Sequence, residues 1–163
     1  MSNMAIEDLI GKNIIDVPYN FTELNSDNGS TTYFASDLNC TFFSKPVKIS
    51  VVSTDSNKNI ETVSTDFKEV MDSEFYQLLV EKYGIPNSVL KSKVIVNEES
   101  KILPDGVNVK SKSGTLEECK FEDHPLFIRW DKPKFRMIFT LQYELNRTEL
   151  TIQRTPDTLN SHK

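Results

Sequence analysis

The sequence predicts an α+β fold, in which an antiparallel β-sheet carries one principal helix packed on one of its faces. Three observations support this prediction. Residues 72–86 give one strong helix signal, the segments around it are short runs of strand formers separated by turn residues, and residues 126–153 alternate apolar and polar side chains over three successive runs. This order of elements is typical of small α+β domains.

Residues 5–17 predict a short helical turn followed by a strand, with Gly11 between them. The run Asn-Ser-Asp-Asn-Gly-Ser at 25–30 consists of turn residues, and strand formers follow it at 31–35. We therefore expect a hairpin there. Further strands are predicted over 40–43, 47–54 and 60–64.

The strand predicted over 47–54 is expected to place Val47, Ile49 and Val51 on one face, because successive side chains of a strand point to opposite faces. Asp55-Ser56-Asn57-Lys58 follows it and has the composition of a turn. We expect this turn to close a second hairpin with the strand over 60–64.

The helix predicted after residue 72 has a wide apolar arc, so we expect it to be mostly buried. Asp72 can cap its first N–H groups, Gly84 can adopt positive φ after its last turn, and Pro86 prevents continuation. Ile85 is expected to fold back on Val80. The apolar arc consists of Phe75, Tyr76, Leu78, Leu79, Val80 and Tyr83.

After the helix the pattern becomes extended at 94–96 and 107–109, around a turn at 102–106. Residues 110–124 are polar and without periodicity, which predicts a loop long enough to be mobile or functional. Strands over 126–130, 135–144 and 149–153 then form a three-stranded antiparallel meander. We predict one domain over residues 1–155 and a flexible tail over 156–163.

The net charge of −5 is distributed unevenly along the chain. Residues 1–84 carry 6 Lys against 13 Asp and Glu, whereas residues 85–163 carry 13 Lys and Arg against 11 Asp and Glu. An acidic surface repels phosphate backbones and attracts basic proteins, which argues against nucleic acid as a direct ligand. The alternative is that the acidic residues form a merely solvated surface.

Common cofactor and targeting signatures are absent from the sequence. The five glycines are isolated and form no phosphate-binding loop, and no cofactor or metal motif occurs. No apolar run reaches the ~18–20 residues of a membrane span, and residues 1–9 lack the layout of a signal peptide. We therefore predict no membrane span and a cytoplasmic location. Cys40 and Cys119, which fit either free thiols or one bridge, are expected to be reduced there.

The densest polar cluster, Glu117 to Pro125, contains the candidate catalytic residues. Cys119 and His124 could form a nucleophile dyad, and Glu122 and Asp123 could provide carboxylate chemistry. A metal site would need further carboxylates from other segments, and the spacing matches no metal-ligand signature. The alternative is a solvated acidic loop.

The sequence favours a non-enzymatic protein-binding module with a basic partner. The helix end Tyr83-Gly84-Ile85-Pro86, followed by a meander that contains Trp130, resembles small bacterial and phage proteins of the immunity or inhibitor type. Trp130 is either a binding anchor or a core residue beneath the helix. The alternatives are a small-ligand binder with a pocket between sheet and helix, and a carboxylate-dependent hydrolase. The acidic candidates for partner binding are Asp27, Asp37, Asp55 and Glu61.

Overall fold

The computed structural model describes residues 4–35, 39–43 and 45–156, and these form one antiparallel sheet with one main helix. The α+β prediction is confirmed, with β structure predominating. The strands are β1 (Phe21–Asp27), β2 (Ser30–Ala35), β3 (Asn39–Phe42), β4 (Lys45–Thr54), β5 (Ile60–Phe67), β6 (Ser88–Ile102), β7 (Asn108–Glu118), β8 (Phe127–Asp131), β9 (Phe135–Gln142) and β10 (Arg147–Arg154). The helix is α1 (Ser73–Tyr83), and short 3₁₀ helices cover Ile6–Leu9, Ile14–Asp16, Phe121–Asp123 and Tyr143–Leu145.

The strand order of the sheet is β1-β2-β4-β5-β10-β9-β8-β6-β7, and β3 pairs with β4 beside this path. The first half of the chain therefore supplies one side of the sheet and the second half supplies the other. The two halves meet where β5 pairs with β10, for example at Val63 opposite Ile152. The C-terminal meander of β8, β9 and β10 is formed as predicted, except that β9 ends at Gln142 and Tyr143–Leu145 form a 3₁₀ helix, where the strand was predicted to continue to residue 144.

Helix α1 begins and ends where its sequence predicts. The Asp72 carboxylate accepts a hydrogen bond from the Phe75 N–H at 2.8 Å, and Gly84 has the positive φ of 83° that favours glycine. Phe75 and Leu79 are buried, but Leu78 is 44% exposed and Ile85 is 86% exposed. The expectations of a mostly buried helix and of Ile85 on Val80 are wrong, because α1 lies on the sheet surface with one side in solvent.

Aromatic rings fill the space between α1 and the sheet. Phe75 of the helix meets Phe42, Phe67 and Phe139 with ring centroids 5.8–6.4 Å apart. Trp130 packs edge-to-face on Phe139 and is fully buried. Because these rings occupy the interior, the core holds the helix by packing.

Strand β4 contains a register shift that the sequence does not reveal. Val47 is buried as expected, but the pairing of β4 with β5 is irregular between Ile49 and Val51. After this irregularity Val52 and Thr54 are buried and Val51 faces the other side of the sheet. The prediction for Val51 is wrong because an extra residue in one strand reverses the alternation that follows it.

The N-terminal segment forms two 3₁₀ helices. The predicted helical turn is present at Ile6–Leu9, but the strand predicted next to it is replaced by a 3₁₀ turn at Ile14–Asp16. Asn13 starts this turn by accepting a hydrogen bond from the Ile15 N–H at 3.1 Å. The Ile14 N–H donates to the Lys58 carbonyl at 2.9 Å, so the segment is tied to the β4–β5 turn.

Strands β6 and β7 form a long two-stranded ribbon. Only Ser88 to Leu90 of β6 also pair with β8, so the rest of the ribbon extends beyond the other strands. The prediction of a loop over 110–124 is wrong up to Glu118, because β7 continues to that residue. The side chains described at 100–102 and 114–116 of this extension are exposed, and exposed strand residues need no apolar alternation.

Two further predictions concern the C-terminal tail and membrane-spanning helices. The tail predicted over 156–163 lies outside the described residues from 157 onward. Within the described residues, no helix has the length and apolar composition needed to cross a lipid bilayer.

Candidate functional site

Two turns bring the acidic candidates of the first half of the chain to one end of the sheet. The β1–β2 turn uses Asn28 and Gly29, with φ of 49° and 81°, which Asn and Gly adopt most readily. A Cβ on Gly29 would lie 3.4 Å from the Ser56 Cβ, so this turn touches the β4–β5 turn. Asp27 and Asp55 flank the two turns. Glu61 follows close by in β5, and we call these three acids the acidic rim. The fourth candidate, Asp37, lies outside the described residues.

Asp55 holds its own turn together and is therefore unlike the other two acids of the rim. Its Oδ1 accepts hydrogen bonds from the Asn57 and Asn59 N–H groups, both at 2.9 Å, and its Oδ2 lies 3.9 Å from Arg154 Nη1. The Asn59 N–H is the main cause that lowers the pKa of the Asp55 carboxyl. The exposed Lys58 lies in the same turn. Reversing the charge of Asp55 would remove both hydrogen bonds, so we expect that substitution to destabilise the turn.

Asp27 and Glu61 are the two acids of the acidic rim whose charges face solvent. Asp27 is exposed and Glu61 is half-exposed, and no ion pair joins either of them to another described residue. Their carboxylates therefore face water at the edge of the sheet. This position suits long-range attraction of a basic molecule.

Trp130 is placed beneath α1 and away from the acidic rim. It is fully buried, and its Nε1–H donates a hydrogen bond to the Gly84 carbonyl at 2.9 Å. A partner could contact this ring only if α1 moved away from the sheet. The structure supports the interpretation of Trp130 as a core residue. Its side chain has no exposed surface that could act as a binding anchor.

The segment around the Phe121–Asp123 turn places the four catalytic candidates in different surroundings. Cys119 lines a groove of about 390 Å³ with Tyr76, and His124 lines another of about 410 Å³ with Tyr143. Glu122 lines both grooves. Asp123 accepts a hydrogen bond from the Lys120 N–H at 3.0 Å and so caps its own turn.

Cys119 lacks the surroundings of an activated nucleophile. Burial raises the pKa of its thiol, Asp123 and Glu117 raise it further, and Lys91 opposes them. Reactive thiols have lowered pKa values instead. Cys119 is a free thiol, and the side chain of Cys40 is not among those described. No three His, Cys, Asp or Glu side chains gather to form a metal site within the described ranges.

A third groove, of about 340 Å³, lies between the sheet and the N-terminus of α1. Its lining contains both positively and negatively charged side chains. Lys45 Nζ lies 4.6 Å from the centroid of the Phe75 ring, and Asp66 is paired with Arg147 at 3.2 Å. This groove lies between sheet and helix, where the small-ligand alternative would place a molecule.

Glu7 forms an ion-pair network that sequence reasoning missed. Its Oε1 accepts hydrogen bonds from Lys82 Nζ and from the Tyr83 hydroxyl, both at 2.8 Å, while its side chain is only 14% exposed. The network ties the first 3₁₀ helix to the end of α1. No local sequence pattern predicts this network, because Lys82 and Tyr83 lie 75 and 76 residues from Glu7 in the chain.

This network predicts an acid-sensitive contribution to stability. Burial alone raises the pKa of Glu7, but the hydrogen bonds from Lys82 and Tyr83 outweigh burial and leave the pKa below its ordinary value. A lowered pKa stabilises the fold above the ordinary value, and the contribution is lost as the pH falls through the folded-state pKa. We expect Glu7→Gln to flatten the fall of the unfolding free energy between about pH 5.5 and pH 3.

Urea titrations at several pH values measure this effect. Glu81→Gln is the matched control, because Glu81 is an exposed acid in α1, and it should keep the pH dependence of the wild type. Equal slopes for the Glu7→Gln protein and the wild type would show that the Glu7 network contributes nothing.

No protein-family model, curated protein or solved structure matches this chain. The grounds for a function therefore lie in the charge and geometry of the chain itself. Of the sequence-predicted sites, the structure brings Asp27, Asp55 and Glu61 to one end of the sheet. It buries Trp130 in the core, and Cys119 and His124 line two neighbouring grooves that share Glu122.

Proposed function

We propose that this chain is a non-enzymatic protein-binding module of the inhibitor or immunity type, which neutralises a basic protein partner through the acidic side of its sheet. The observation that carries the proposal is the strand order, which converts the charge asymmetry of the chain into an asymmetry in space. Residues 21–67, from β1 to β5, hold 3 Lys against 6 Asp and Glu. Residues 88–154, from β6 to β10, hold 12 Lys and Arg against 10 Asp and Glu.

A field of this kind acts mainly on the rate of association. Exposed charges attract an oppositely charged protein over about one Debye length, which is about 10 Å at about 0.1 M salt. Such steering raises the on-rate and fixes the orientation of the encounter. The acidic rim lies at the end of the acidic side, where strand ends and turns are open to solvent.

The weakness of the catalytic alternative supports the same proposal. The thiol of Cys119 has a raised pKa, and Asp123 is used to cap a turn. Glu122 and His124 line a groove that is open to solvent, and aromatic rings pack between α1 and the sheet. These features therefore favour binding at the protein surface over catalysis by these residues.

The test reverses the two outward acids of the rim and keeps Asp55, which holds its turn. The Asp27→Lys/Glu61→Lys protein is immobilised and used to capture partners from a lysate of the source organism, beside the wild type. The control, Glu118→Lys/Glu144→Lys, makes the same change of net charge on exposed acids of the other half of the sheet. Circular dichroism should give all three proteins similar thermal midpoints.

We expect a basic protein to be captured by the wild type and by the control, and to be lost or reduced about tenfold with the rim variant. For that protein, the association rate should fall as salt rises from low to physiological ionic strength, and the rim variant should be slower at low salt. The proposal is wrong if rim and control variants bind the partner equally fast at low salt.

A small-ligand binder is the second candidate, and the 340 Å³ groove at the N-terminus of α1 favours it. Its volume is within the range of ligand pockets, and Phe75 provides an apolar floor. This candidate predicts binding that is indifferent to salt and to the acidic rim. It also predicts that Lys45→Ala weakens binding, because Lys45 lies over the Phe75 ring.

A further inference from the structure

The two faces of the sheet differ in what covers them. On one face the alternate residues Met137, Phe139 and Leu141 of β9 are buried, and they join the core that includes Phe75 and Leu79 of α1. On the other face the intervening residues of β9 and its neighbours are half-exposed. We call this second face the open face.

One row of residues crosses the open face from β1 to β6. Strand pairing places each member directly opposite the next, and the buried residues beside them, such as Val52, Val63 and Ile152, confirm which face the row occupies. In spatial order the row is Thr22, Phe34, Val51, Ser64, Thr151, Ile138, Arg129 and Ser88.

Three of the four residue pairs at equal distances from the centre of this row, which lies between β5 and β10, have matching chemistry. The two residues next to the centre carry hydroxyl groups, the next two are the β-branched Val51 and Ile138, and the third pair is an aromatic ring and a guanidinium. The outermost pair again carries hydroxyl groups. A two-fold rotation about an axis parallel to the strands at this centre reverses the row onto itself.

We propose that the open face packs against the same face of a second copy of this chain, with the two-fold axis between β5 and β10. Ser64 then faces Thr151 of the second copy, Val51 faces its Ile138, and Phe34 faces its Arg129. Every contact occurs twice, as in an isologous dimer. The guanidinium of Arg129 gains an aromatic face, which attracts cations.

The charge distribution favours the same arrangement. The rotation places the acidic half of one sheet, β1 to β5, over the half of the other, β6 to β10, that carries a small net positive charge. One row away, Asp66 would face Glu149 of the second copy. Arg147 lies 3.2 Å from Asp66 and 3.8 Å from Glu149 in the same chain, so it offsets one of these two carboxylate charges in each copy.

The available area is sufficient for a specific dimer. The six strands from β2 to β8 lie about 4.8 Å apart, and three side chains of each reach the open face, which gives a patch of roughly 600 Å² per copy. Two such patches reach the lower limit of standard interfaces, which bury about 1,200 Å² in total. Sheet twist brings the central strands closest, so Val51 and Ile138 should be buried most.

The dimer is independent of the proposed partner binding. The acidic rim lies at the strand ends, whereas the dimer uses the open face. Sedimentation equilibrium of the full chain tests it. The wild type should have the mass of a dimer at micromolar concentration. Val51→Asp and Ile138→Lys should each weaken dimerisation at least about tenfold, because each places a charge opposite an apolar side chain.

A mixture of the two variants provides the decisive measurement. One Val51→Asp chain and one Ile138→Lys chain would form a heterodimer with one ion pair and one intact Val51–Ile138 contact, so mixing should restore the dimer mass. Leu78→Glu, on the solvent side of α1, is the control and should remain dimeric. Circular dichroism checks that all variants are folded. A monomeric wild type, unaffected single variants, or a mixture that stays monomeric would each overturn the proposal.

Discussion

Trp130→Ala is expected to lower the free energy of unfolding by about 3–5 kcal/mol, the range found when a buried Trp or Phe is truncated. Trp130 has no exposed surface, packs on Phe139 and donates a hydrogen bond to the Gly84 carbonyl. The truncation leaves a cavity under α1 and an unpaired carbonyl at the end of the helix. Urea denaturation followed by far-UV circular dichroism measures the change.

Trp130→Phe separates the two contributions. It keeps most of the ring but removes Nε1, so we expect a loss of about 1–2 kcal/mol from the hydrogen bond and a small volume change. A loss under about 1 kcal/mol for Trp130→Ala would contradict the placement of this ring in the core.

Leu79→Ala is expected to cost about 2–5 kcal/mol, because Leu79 is completely buried between α1 and the sheet. Leu78→Ala is the matched control. It makes the same chemical change one residue earlier in the same helix, where the side chain is 44% exposed, and should cost less than about 1 kcal/mol. The same urea titrations measure both variants. Equal losses, or a loss below about 0.5 kcal/mol for Leu79→Ala, would mean that α1 does not anchor the core.

Elements specified by neighbouring residues could be predicted from the sequence. Asp72 and Gly84 set the ends of α1 through contacts within one helical turn. The alternation of β9 gave the buried Met137, Phe139 and Leu141 because one face of that strand lies on the core.

Elements whose form depends on distant partners could not be predicted in the same way. The irregular pairing of β4 is visible only when β5 lies beside it, so Val51 was assigned to the wrong face. β7 carries no apolar pattern because its ribbon extends into water, and a pattern-based method interprets such a segment as a loop.

The candidate site shows the same division between local and distant information. The turn residues near Asp27 and Asp55 were evident in the sequence, but the contact between Gly29 and Ser56 that joins the two turns was not. The sequence could not show that Asp55 is used by its own turn. The Glu7–Lys82 pair depends entirely on tertiary structure.

The pairing of β5 with β10 also has a consequence for biosynthesis. Of the ten strands in the described residues, β10 leaves the ribosome last, yet it occupies the middle of the sheet between β5 and β9. Until it emerges, the backbone groups along one edge of β5 have no strand to bind, and an open edge is a template for aggregation. Closure joins Thr148 to Phe67, far apart in the chain, and such non-local pairing slows folding. We therefore expect the nascent chain to need protection at the edge of β5 until β10 has emerged from the ribosome.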